Sequence, residues 1–388
     1  MDESKSIVVL GGGVGGVVAA SKLRKKLGKE HKVFLVNRRS EHIFYPSIPW
    51  VMIGDREPSD ISRDLSRLEK KGIEFLKTEV TNIDPKGGVV KLKEGDDLSY
   101  DYLVIALGAD LVPEKVAGSK DLSEVSDGVY NFYNVMEVVR LRDGLKSFDS
   151  GKVVVLVSGL PYKGAVAPYE ATFVSEHFFR KRKLRDKVSV HLFIPEPAPL
   201  VAPVTEKLFE KRDIGFTPNA YVDSVKLEEK EIVFKNGEKE EFDLLILIPP
   251  HQCPEVIEKA GLTDETGWVP VDNEILKTEK YDNVYAVGDS NYIELPAGGF
   301  LPKAGIFAHR QSEAAVEDMV AEIKGKESKK KFDGKGMFVI EAGGGKGIFV
   351  TAEFFKPEPV VKTKRPRVSR MWHLGKVMFE KYWLRHWF

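Results

Sequence analysis

The chain has 388 residues, 42% hydrophobic and 30% charged, a length and composition typical of a folded protein of two or three domains. Its 59 basic and 59 acidic residues cancel, so the whole protein has no net attraction to nucleic acid. The single cysteine, Cys253, excludes an intramolecular disulfide and a multi-cysteine metal or iron–sulfur site, and we expect no metal.

Neither end of the chain carries a long apolar segment. Residues 1–5 lead directly into a short apolar run, and no stretch of 18 apolar residues occurs anywhere. We therefore expect no signal peptide and no membrane-spanning helix.

The first hundred residues predict a strand–turn–helix–strand unit followed by an insertion. Apolar runs at residues 6–10 and 32–36 flank a helical pattern at residues 14–27. Short apolar runs that end at glycine are typical of buried parallel strands, so this order indicates a βαβ unit. Residues 74–92 alternate and contain Pro and Gly, which predicts a small antiparallel insertion. Residues 102–107 predict another buried strand.

The same pattern restarts in the middle of the chain. We predict a strand at residues 152–157, a helix at 169–180, and strands at 188–194 and 244–248. Residues 281–286 return the chain to the first domain. The predicted fold is α/β, with two Rossmann-like dinucleotide-binding domains, the second inserted in the first.

The C-terminal part differs in composition from both domains. A charged linker precedes a glycine-bearing hairpin pattern at residues 336–355 and an amphipathic, aromatic-rich end at residues 370–388. The predicted domain bounds are 1–112 with 270–323, 113–269, and a C-terminal region at 324–388.

The strongest local signal is a glycine-rich turn after the first predicted strand. Gly11, Gly13 and Gly16 fit the pattern G-x-G-x-x-G in the strand-to-helix context that makes this pattern informative. Gly11 permits the tight turn, Gly13 admits a diphosphate, and Gly16 allows close packing of the helix. Val14 and Gly15 lie at the helix N-terminus, whose NH groups attract phosphate. The alternative is a glycine-rich turn without a ligand.

The second predicted strand ends at Asn37, where such folds often carry a ribose-binding acid. Asn37 can bond a ribose hydroxyl, whereas Arg38 or Arg39 can accept a 2′-phosphate or simply be solvated. The glycine-rich turn and the residues after the second strand therefore do not distinguish an FAD site from an NADP site.

Two further segments indicate the cofactor. Residues 281–289 (YDNVYAVGD) and residues 100–109 (YDYLVIALGA) resemble two flavin-side motifs of the pyridine nucleotide–disulfide oxidoreductase superfamily. The resemblance implies FAD, with Asp289 on its ribityl chain. The other cofactor-side residues that we predict are Ser47, Val80, Ala106, Leu107, Gly108, Gly288, Lys303, Ala304 and Gly305.

Four segments narrow the resemblance to the sulfide:quinone oxidoreductase and flavocytochrome c sulfide dehydrogenase family. These segments are residues 42–50 (HIFYPSIPW), 161–170 (PYKGAVAPYE), 301–305 (LPKAG) and 372–382 (WHLGKVMFEKY). The last resembles the family's membrane-docking C-terminus, although packing onto the protein's own body or a dimer contact is an alternative for such a tail. The resemblance implies a cytoplasmic, peripherally membrane-associated protein.

The chain departs from this family at its redox cysteines. Gly164 and Phe338 stand where the family's cysteine pair is expected, and Asn131 lies near the position of a further cysteine. Gly and Phe cannot form persulfides, and one cysteine cannot restore a pair. We therefore expect no cysteine-based sulfide oxidation of the usual kind.

Three residues remain as catalytic candidates. Cys253 follows a buried strand and could attack the flavin if its pKa were lowered, although an inert cysteine is the alternative. The resemblance implies that Glu170 handles protons beside the flavin and that Lys303 stabilises charge on the reduced cofactor. A capping or surface role is the alternative for each.

The predicted function is transfer of electrons from a small-molecule donor through FAD to a quinone, by a protein that can also form homo-oligomers. The alternatives are a type II NADH:quinone oxidoreductase and a catalytically silent flavin-binding paralogue. NADH is disfavoured because residues 158–164 form no second G-x-G-x-x-G turn and Pro161 lacks a backbone NH.

Overall fold

The computed structural model describes residues 4–118, 128–199 and 201–388. Its first domain is built on a sheet of five parallel strands, covered by two long helices that pack against each other. The strands, in spatial order, are Val284–Ala286, Tyr102–Ile105, Ser6–Leu10, Lys32–Asn37 and Glu74–Lys77. The helices are Val14–Lys26 and Gly305–Ile323.

The second domain repeats this plan. Its sheet also has five parallel strands, and the central ones are fully buried apolar runs, as expected for strands with helices on both faces. The strands, in spatial order, are Val129–Asn131, Leu244–Ile248, Gly151–Val157, Val188–Phe193 and Gly215–Thr217. The helices are Val135–Ser147, Ala167–Lys181 and Ala202–Arg212.

Smaller elements decorate the two sheets. Two antiparallel three-stranded sheets consist of Val80–Asp84, Val89–Leu92 and Leu98–Ser99, and of Val222–Lys226, Glu231–Phe234 and Lys239–Glu241. The paired short strands are Glu41–Ile43 with Ser62–Asp64, Asp110–Leu111 with His251–Gln252, and Val269–Pro270 with Asn291–Tyr292. The short helices and 3₁₀ turns are Tyr45–Ser47, Ile48–Met52, Leu65–Lys71, Pro113–Lys115, Glu255–Lys259 and Gly288–Ser290.

The chain ends in a three-stranded antiparallel sheet, Lys335–Glu341, Gly347–Glu353 and Val360–Thr363, followed by the C-terminal helix Arg370–His386. The inner side of this helix is anchored in the first domain, where Trp383 belongs to the main core cluster. Phe338 packs against the cores of both domains and so joins them. Within the described ranges, none of the helices has the length and apolar composition needed to cross a bilayer.

The predicted α/β fold with two Rossmann-like domains is confirmed, and the second domain lies in the chain between two strands of the first sheet. The prediction that residues 74–92 form one antiparallel insertion is wrong in part, because Glu74–Lys77 pairs in parallel with Lys32–Asn37. The predicted hairpin has a third strand that the sequence pattern did not reveal. The exact domain bounds stay predictions, and residues 1–3 lie outside the described ranges.

Candidate functional site

The first glycine turn (residues 11–13) joins the central strand of the first sheet to its helix. A Cβ atom on Gly11 would lie 2.2 Å from the Ala106 carbonyl oxygen, and one on Gly16 would lie 1.7 Å from the Gly11 carbonyl oxygen. Gly11 also has a φ of 106°, which favours glycine. A Cβ atom on Gly13, in contrast, would meet no protein atom within 4 Å. The turn therefore packs tightly against the protein at Gly11 and Gly16 and faces open space at Gly13.

Two helix N-termini meet over this open space. Gly13 caps the helix that begins at Val14, and Ala304 caps the helix that begins at Gly305. Neither cap residue accepts a side-chain hydrogen bond from its helix, and a Cβ atom on Gly305 would lie 3.5 Å from Val14 Cγ2. Uncapped N-termini carry free NH groups and positive potential. The arrangement therefore fits the diphosphate of a dinucleotide.

Asn37 fixes the shape of the first glycine turn from the end of the second strand. Its Oδ1 accepts a hydrogen bond from Gly12 N at 2.8 Å, and its Nδ2 donates to the Arg39 carbonyl at 2.7 Å. The side chains of Arg38 and Arg39 are exposed. A ribose contact from Asn37 stays a prediction, but its polar atoms already have partners within the protein.

His42 is a buried polar residue beside the first glycine turn that the sequence analysis did not single out. Its ring is 1% exposed, and Nδ1 lies 2.9 Å from the Gly12 carbonyl oxygen. Because a carbonyl only accepts, Nδ1 carries the proton and Nε2 accepts the hydrogen bond from Trp383 Nε1 at 3.0 Å. Burial lowers the pKa of His42 to about 4, against the hydrogen bond to Gly12, so the ring is neutral near pH 7.

The turn that contains Asp289 is tied to the turn at Gly108. The Ser290 hydroxyl accepts from Gly108 N at 2.8 Å and donates to Gly108 O at 3.1 Å. Gln311 Oε1 accepts from Gly288 N at 2.6 Å. The structure thus brings together the predicted residues Gly108, Gly288 and Asp289, and it adds Ser290 and Gln311. Both added residues are buried polar side chains that bond backbone groups of these two turns, and their own segments carry no signal that could have identified them.

Lys303 is 6% exposed, so the alternative of a solvated lysine is wrong. Its ammonium donates to the carbonyls of Asp289 at 2.8 Å and Asn291 at 3.1 Å, and it lies 3.3 Å from the ring centroid of Trp268. Burial lowers the pKa of Lys303 to about 8, opposed by the Asp289 carboxylate. These contacts hold the Asp289 turn, whereas an interaction with a flavin ring stays a prediction.

Glu170 belongs to a buried charged cluster under the C-terminal helix. Its Oε1 accepts from Lys376 Nζ at 2.6 Å and from Glu341 N at 2.9 Å. Glu341 Oε2 lies 2.9 Å from His373 Nδ1. Burial raises the pKa of Glu170, and the charge of Lys376 opposes this shift. Glu170 is therefore neither a surface nor a capping residue, and its proton-handling role stays a prediction.

Ser47 and Val80, two predicted cofactor residues, make contacts within the protein. Ser47 is fully buried, and its hydroxyl donates to Glu380 Oε2 of the C-terminal helix at 2.5 Å, while Arg56 bonds the same carboxylate at 3.1 Å. Val80 is half-buried at the start of the first small antiparallel sheet. The structure gives both residues a packing role, and their cofactor contacts stay predictions.

A second turn (residues 158–166) holds the position where the family's cysteine is expected. Gly164 has a φ of 70°, and a Cβ atom there would lie 3.9 Å from the Tyr133 hydroxyl oxygen. That hydroxyl donates to the Lys163 carbonyl. The Lys163 ammonium lies 4.5 Å from the ring centroid of Tyr45 and 5.3 Å from that of Tyr133. No carboxylate in the described ranges forms an ion pair with it.

His251 lines the same turn. It is 3% exposed, Nδ1 donates to the Pro249 carbonyl at 2.9 Å, and its ring packs edge-on against Tyr133. Burial and the positive charge of Lys163 lower the pKa of His251 to about 3, so the ring is neutral. Its Nε2 lone pair finds no hydrogen-bond partner among the described residues. This buried, unpaired acceptor is available to a ligand that carries a proton.

Cys253 does not suit the predicted catalytic role. The thiol is 5% exposed, and Sγ lies 3.9 Å from the Ser290 carbonyl oxygen. Burial raises the pKa of Cys253 to about 12, opposed by Lys303, so the thiol stays protonated. A nucleophilic cysteine needs the opposite shift. The contacts therefore argue against Cys253 as a nucleophile and indicate a core residue.

Comparisons with known proteins agree with this architecture. A family model described as "Pyridine nucleotide-disulphide oxidoreductase" matches residues 5–306. The mitochondrial sulfide:quinone oxidoreductase of Mus musculus is 28% identical over 339 residues, which cover 84% of this chain and 73% of that protein. The X-ray structure of the sulfide:quinone oxidoreductase from Aquifex aeolicus matches with a TM-score of 0.86 and 26% identity, over 98% of this chain and 91% of that one.

A further relative is an oxidoreductase with a different electron donor in its name. The chloroplastic/mitochondrial alternative NAD(P)H-ubiquinone oxidoreductase C1 of Arabidopsis thaliana is 25% identical over 357 residues. The match covers 79% of this chain and 65% of that protein.

Proposed function

The chain belongs to the pyridine nucleotide-disulphide oxidoreductase family and is an FAD-dependent oxidoreductase, and on that premise we propose that it passes electrons from a small donor to a quinone at a membrane surface. The observation that carries the proposal is the two-sided character of the C-terminal helix. It turns an apolar face to solvent and a pair of buried charges, Lys376 and Glu380, towards the protein.

The residues of the first domain fit FAD. Bound FAD supplies two-electron transfer at its isoalloxazine ring. The open space above Gly13 and the uncapped helix N-termini at Val14 and Gly305 suit its diphosphate. Asp289 is half-buried, on a turn that Lys303 holds through the backbone, which suits the proposed contact with the ribityl hydroxyls.

The outer face of the C-terminal helix suits a lipid surface. Its five large apolar side chains are 45–71% exposed, and basic residues flank them. Aromatic, apolar and basic residues on one helix are typical of a protein that lies in the membrane interface. The five are Met371, Leu374, Met378, Phe379 and Tyr382.

The inner face of the same helix supports quinone as the acceptor. Reduction of a quinone takes up two protons as well as two electrons, and the site must hold these protons where water is excluded. Glu170, Lys376 and His373, linked through Glu341, form a connected set of titratable groups on the protein side of the helix. Because burial raises the pKa of Glu170, its carboxyl group is suited to hold and release a proton there.

The donor side lacks the chemistry to store sulfur covalently. The full sequence contains one cysteine, and Gly164 and Phe338 stand at the expected positions of the pair. The donor must therefore deliver its electrons directly to the cofactor. The Lys163 ammonium and the Nε2 lone pair of His251, neither of which has an ion-pair or hydrogen-bond partner among the described residues, suit a small anion that also carries a proton. Hydrosulfide meets this description, but without a sulfur-accepting pair we expect it to react slowly.

NADH is the second candidate donor, because the Arabidopsis relative is named an NAD(P)H-ubiquinone oxidoreductase. The second turn argues against it. Nine residues separate the strand that ends at Val157 from the helix that begins at Ala167, so the NH groups of that helix do not follow the strand directly. Pro168 in the first turn of the helix also removes one NH donor.

Anaerobic titration of the purified yellow protein tests the proposal. Hydrosulfide, NADH and a reduced quinone are added separately while the flavin absorbance is followed. We expect the reduced quinone to bleach the flavin readily, because electron exchange with quinone is reversible in principle, and hydrosulfide to bleach it slowly. Rapid bleaching by NADH alone would support the second candidate. A flavin that none of the three reduces would identify a catalytically silent flavoprotein and contradict the proposal.

Vesicle sedimentation tests the membrane surface with a matched pair of substitutions. Met378 on the C-terminal helix and Met136 on another helix are 71% and 68% exposed. We expect Met378→Glu to reduce binding to anionic lipid vesicles and Met136→Glu to leave it unchanged. Equal binding by both variants would exclude the helix as the docking surface.

A further inference from the structure

A chain of two hydrogen bonds links the C-terminal helix to the first glycine turn. Trp383 Nε1 donates to His42 Nε2 at 3.0 Å, and His42 Nδ1 donates to the Gly12 carbonyl at 2.9 Å. Gly12 N in turn donates to Asn37 Oδ1 at 2.8 Å. Both polar groups of Gly12 are therefore held by buried or half-buried side chains. Gly12 precedes Gly13, above which the diphosphate space opens.

We propose that the C-terminal helix is part of the FAD-binding site, and that Trp383 acts through His42 to fix the orientation of the first glycine turn. His42 and Trp383 are positioning residues for the cofactor. The inference goes beyond the proposed donor and acceptor, because it concerns only how the chain holds FAD.

The tautomer of His42 explains how Trp383 can affect Gly12. A neutral imidazole has one protonated nitrogen and one lone pair. The indole NH of Trp383 occupies the Nε2 lone pair and thereby keeps the proton on Nδ1, where the Gly12 carbonyl accepts it. Without the indole NH, the proton can move to Nε2, and Nδ1 would then direct its lone pair at the carbonyl oxygen. Loss of the Trp383 indole therefore weakens the hydrogen bond to the Gly12 carbonyl, although Trp383 does not bond Gly12 itself.

The packing around the link buries it, since His42 is 1% and Trp383 2% exposed. His42 lies between the rings of Trp383 and Phe388, with centroid distances of 6.0 and 5.2 Å. Phe44 contacts Trp383 at 5.9 Å and Phe379 at 5.8 Å. A hydrogen bond in such an environment is costly to leave unmade.

The C-terminal helix offers a matched control for Trp383. Trp387 lies in the same aromatic cluster, 5.5 Å from Trp383, and is similarly buried, but its indole NH has no hydrogen-bond partner among the described residues. Trp383→Phe removes the NH that bonds His42, whereas Trp387→Phe removes an NH that bonds nothing described. Both substitutions make a similar change in the packed volume.

The experiment measures the rate of FAD release from the full-length holoprotein by the rise in flavin fluorescence after dilution. Loss of one buried hydrogen bond corresponds to about a tenfold change. We expect Trp383→Phe to release FAD about tenfold faster and Trp387→Phe to stay within about twofold of the wild type. Equal rates for the two variants would overturn the proposal.

Substitutions at His42 separate positioning from stability. The amide nitrogen of Asn can take the place of Nδ1 and donate to the Gly12 carbonyl, but Asn is too short to reach Trp383. We expect His42→Asn to retain FAD nearly as the wild type does, although its melting temperature falls, and His42→Phe to lose FAD readily. Adding Trp383→Phe to His42→Asn should then cause no further increase in FAD release. If His42→Asn and His42→Phe release FAD equally fast, His42 has only a packing role.

Discussion

The two strand–turn–helix units of this protein share a topology but differ in what they offer a ligand. In the first unit three residues separate Leu10 from the helix at Val14, and in the second unit nine residues separate Val157 from the helix at Ala167. The first turn presents backbone NH groups at open space. The second presents side chains, namely Lys163 and His251. The same sheet plan thus serves a dinucleotide in one domain and a small donor, as we propose, in the other.

The difference lies in backbone contacts more than in glycine content. Gly11 and Gly16 are required because neighbouring carbonyl oxygens leave no room for a Cβ atom. In the second turn, a Cβ atom on Gly164 would have its nearest contact at 3.7 Å, and one on Gly159 would lie 3.1 Å from Pro250 Cβ. The second turn is therefore shaped by side-chain packing and does not bring the helix N-terminus to the end of the strand.

The largest expected effect comes from Gly13→Val in the first turn. No protein atom lies within 4 Å of its added Cβ, so the apoprotein should keep its melting temperature while FAD loses its place. The purified variant should be colourless. Gly164→Ala is the control in the second turn; its positive φ costs about 1 kcal/mol of stability, but the protein should stay yellow. A yellow Gly13→Val variant would show that FAD does not bind above Gly13 and would contradict the difference between the two turns.

The next largest effect is expected for the ion pair between Glu170 of the second domain and Lys376 of the C-terminal helix. Lys376→Met leaves the Glu170 carboxylate buried without its partner and should lower the free energy of unfolding by about 3–5 kcal/mol. Combining it with Glu170→Gln removes the uncompensated charge and should restore a large part of this loss. Chemical denaturation of the two single variants and the double variant measures the coupling. Strict additivity would show that the pair does not interact.

A pH titration compares the two buried histidines. The pKa of His42 is about 4 and that of His251 about 3 in the folded protein, below the value of about 6.5 for an exposed histidine. The unfolded chain therefore binds these protons first, and stability present above pH 6.5 is lost as the pH falls towards 4. Over its full range, the loss should be about 3 kcal/mol for His42 and about 5 kcal/mol for His251. His42→Phe should flatten the unfolding curve measured between pH 6.5 and 4. An unchanged slope would mean that His42 is protonated in the folded state.

The smallest effect is expected for Cys253, which belongs to the core cluster of the first domain. Because the thiol is buried and burial raises its pKa to about 12, it should resist iodoacetamide in the native protein at neutral pH. Cys253→Ala should leave the rates of flavin reduction and reoxidation within about twofold of the wild type. Rapid alkylation that stops electron transfer would restore the catalytic role for this cysteine.

The sequence predicts the first glycine turn well because its residues are consecutive and each has a local steric reason. The link between His42 and Trp383 could not be predicted in this way, because its two residues are 341 positions apart. The pair of Glu170 and Lys376 is 206 positions apart. In these cases the side chains meet only through the packing of the C-terminal helix onto both domains.

One misassignment and one set of contacts that the sequence did not reveal have simple physical causes. Glu74–Lys77 is the edge strand of a parallel sheet, and its outer residues are exposed, so its pattern is that of a half-buried antiparallel strand. The direction of the Lys303 ammonium depends on the carbonyls of Asp289 and Asn291 and on the Trp268 ring, none of which the residue's own segment reveals.

The most direct test of the central claim is the reoxidation of the reduced protein by quinone. The flavin is reduced with dithionite under anaerobic conditions and mixed in a stopped-flow instrument with a quinone held in lipid vesicles. We expect the flavin absorbance to return rapidly in the wild type and slowly in Met378→Glu. A flavin that stays bleached in the wild type would contradict that claim.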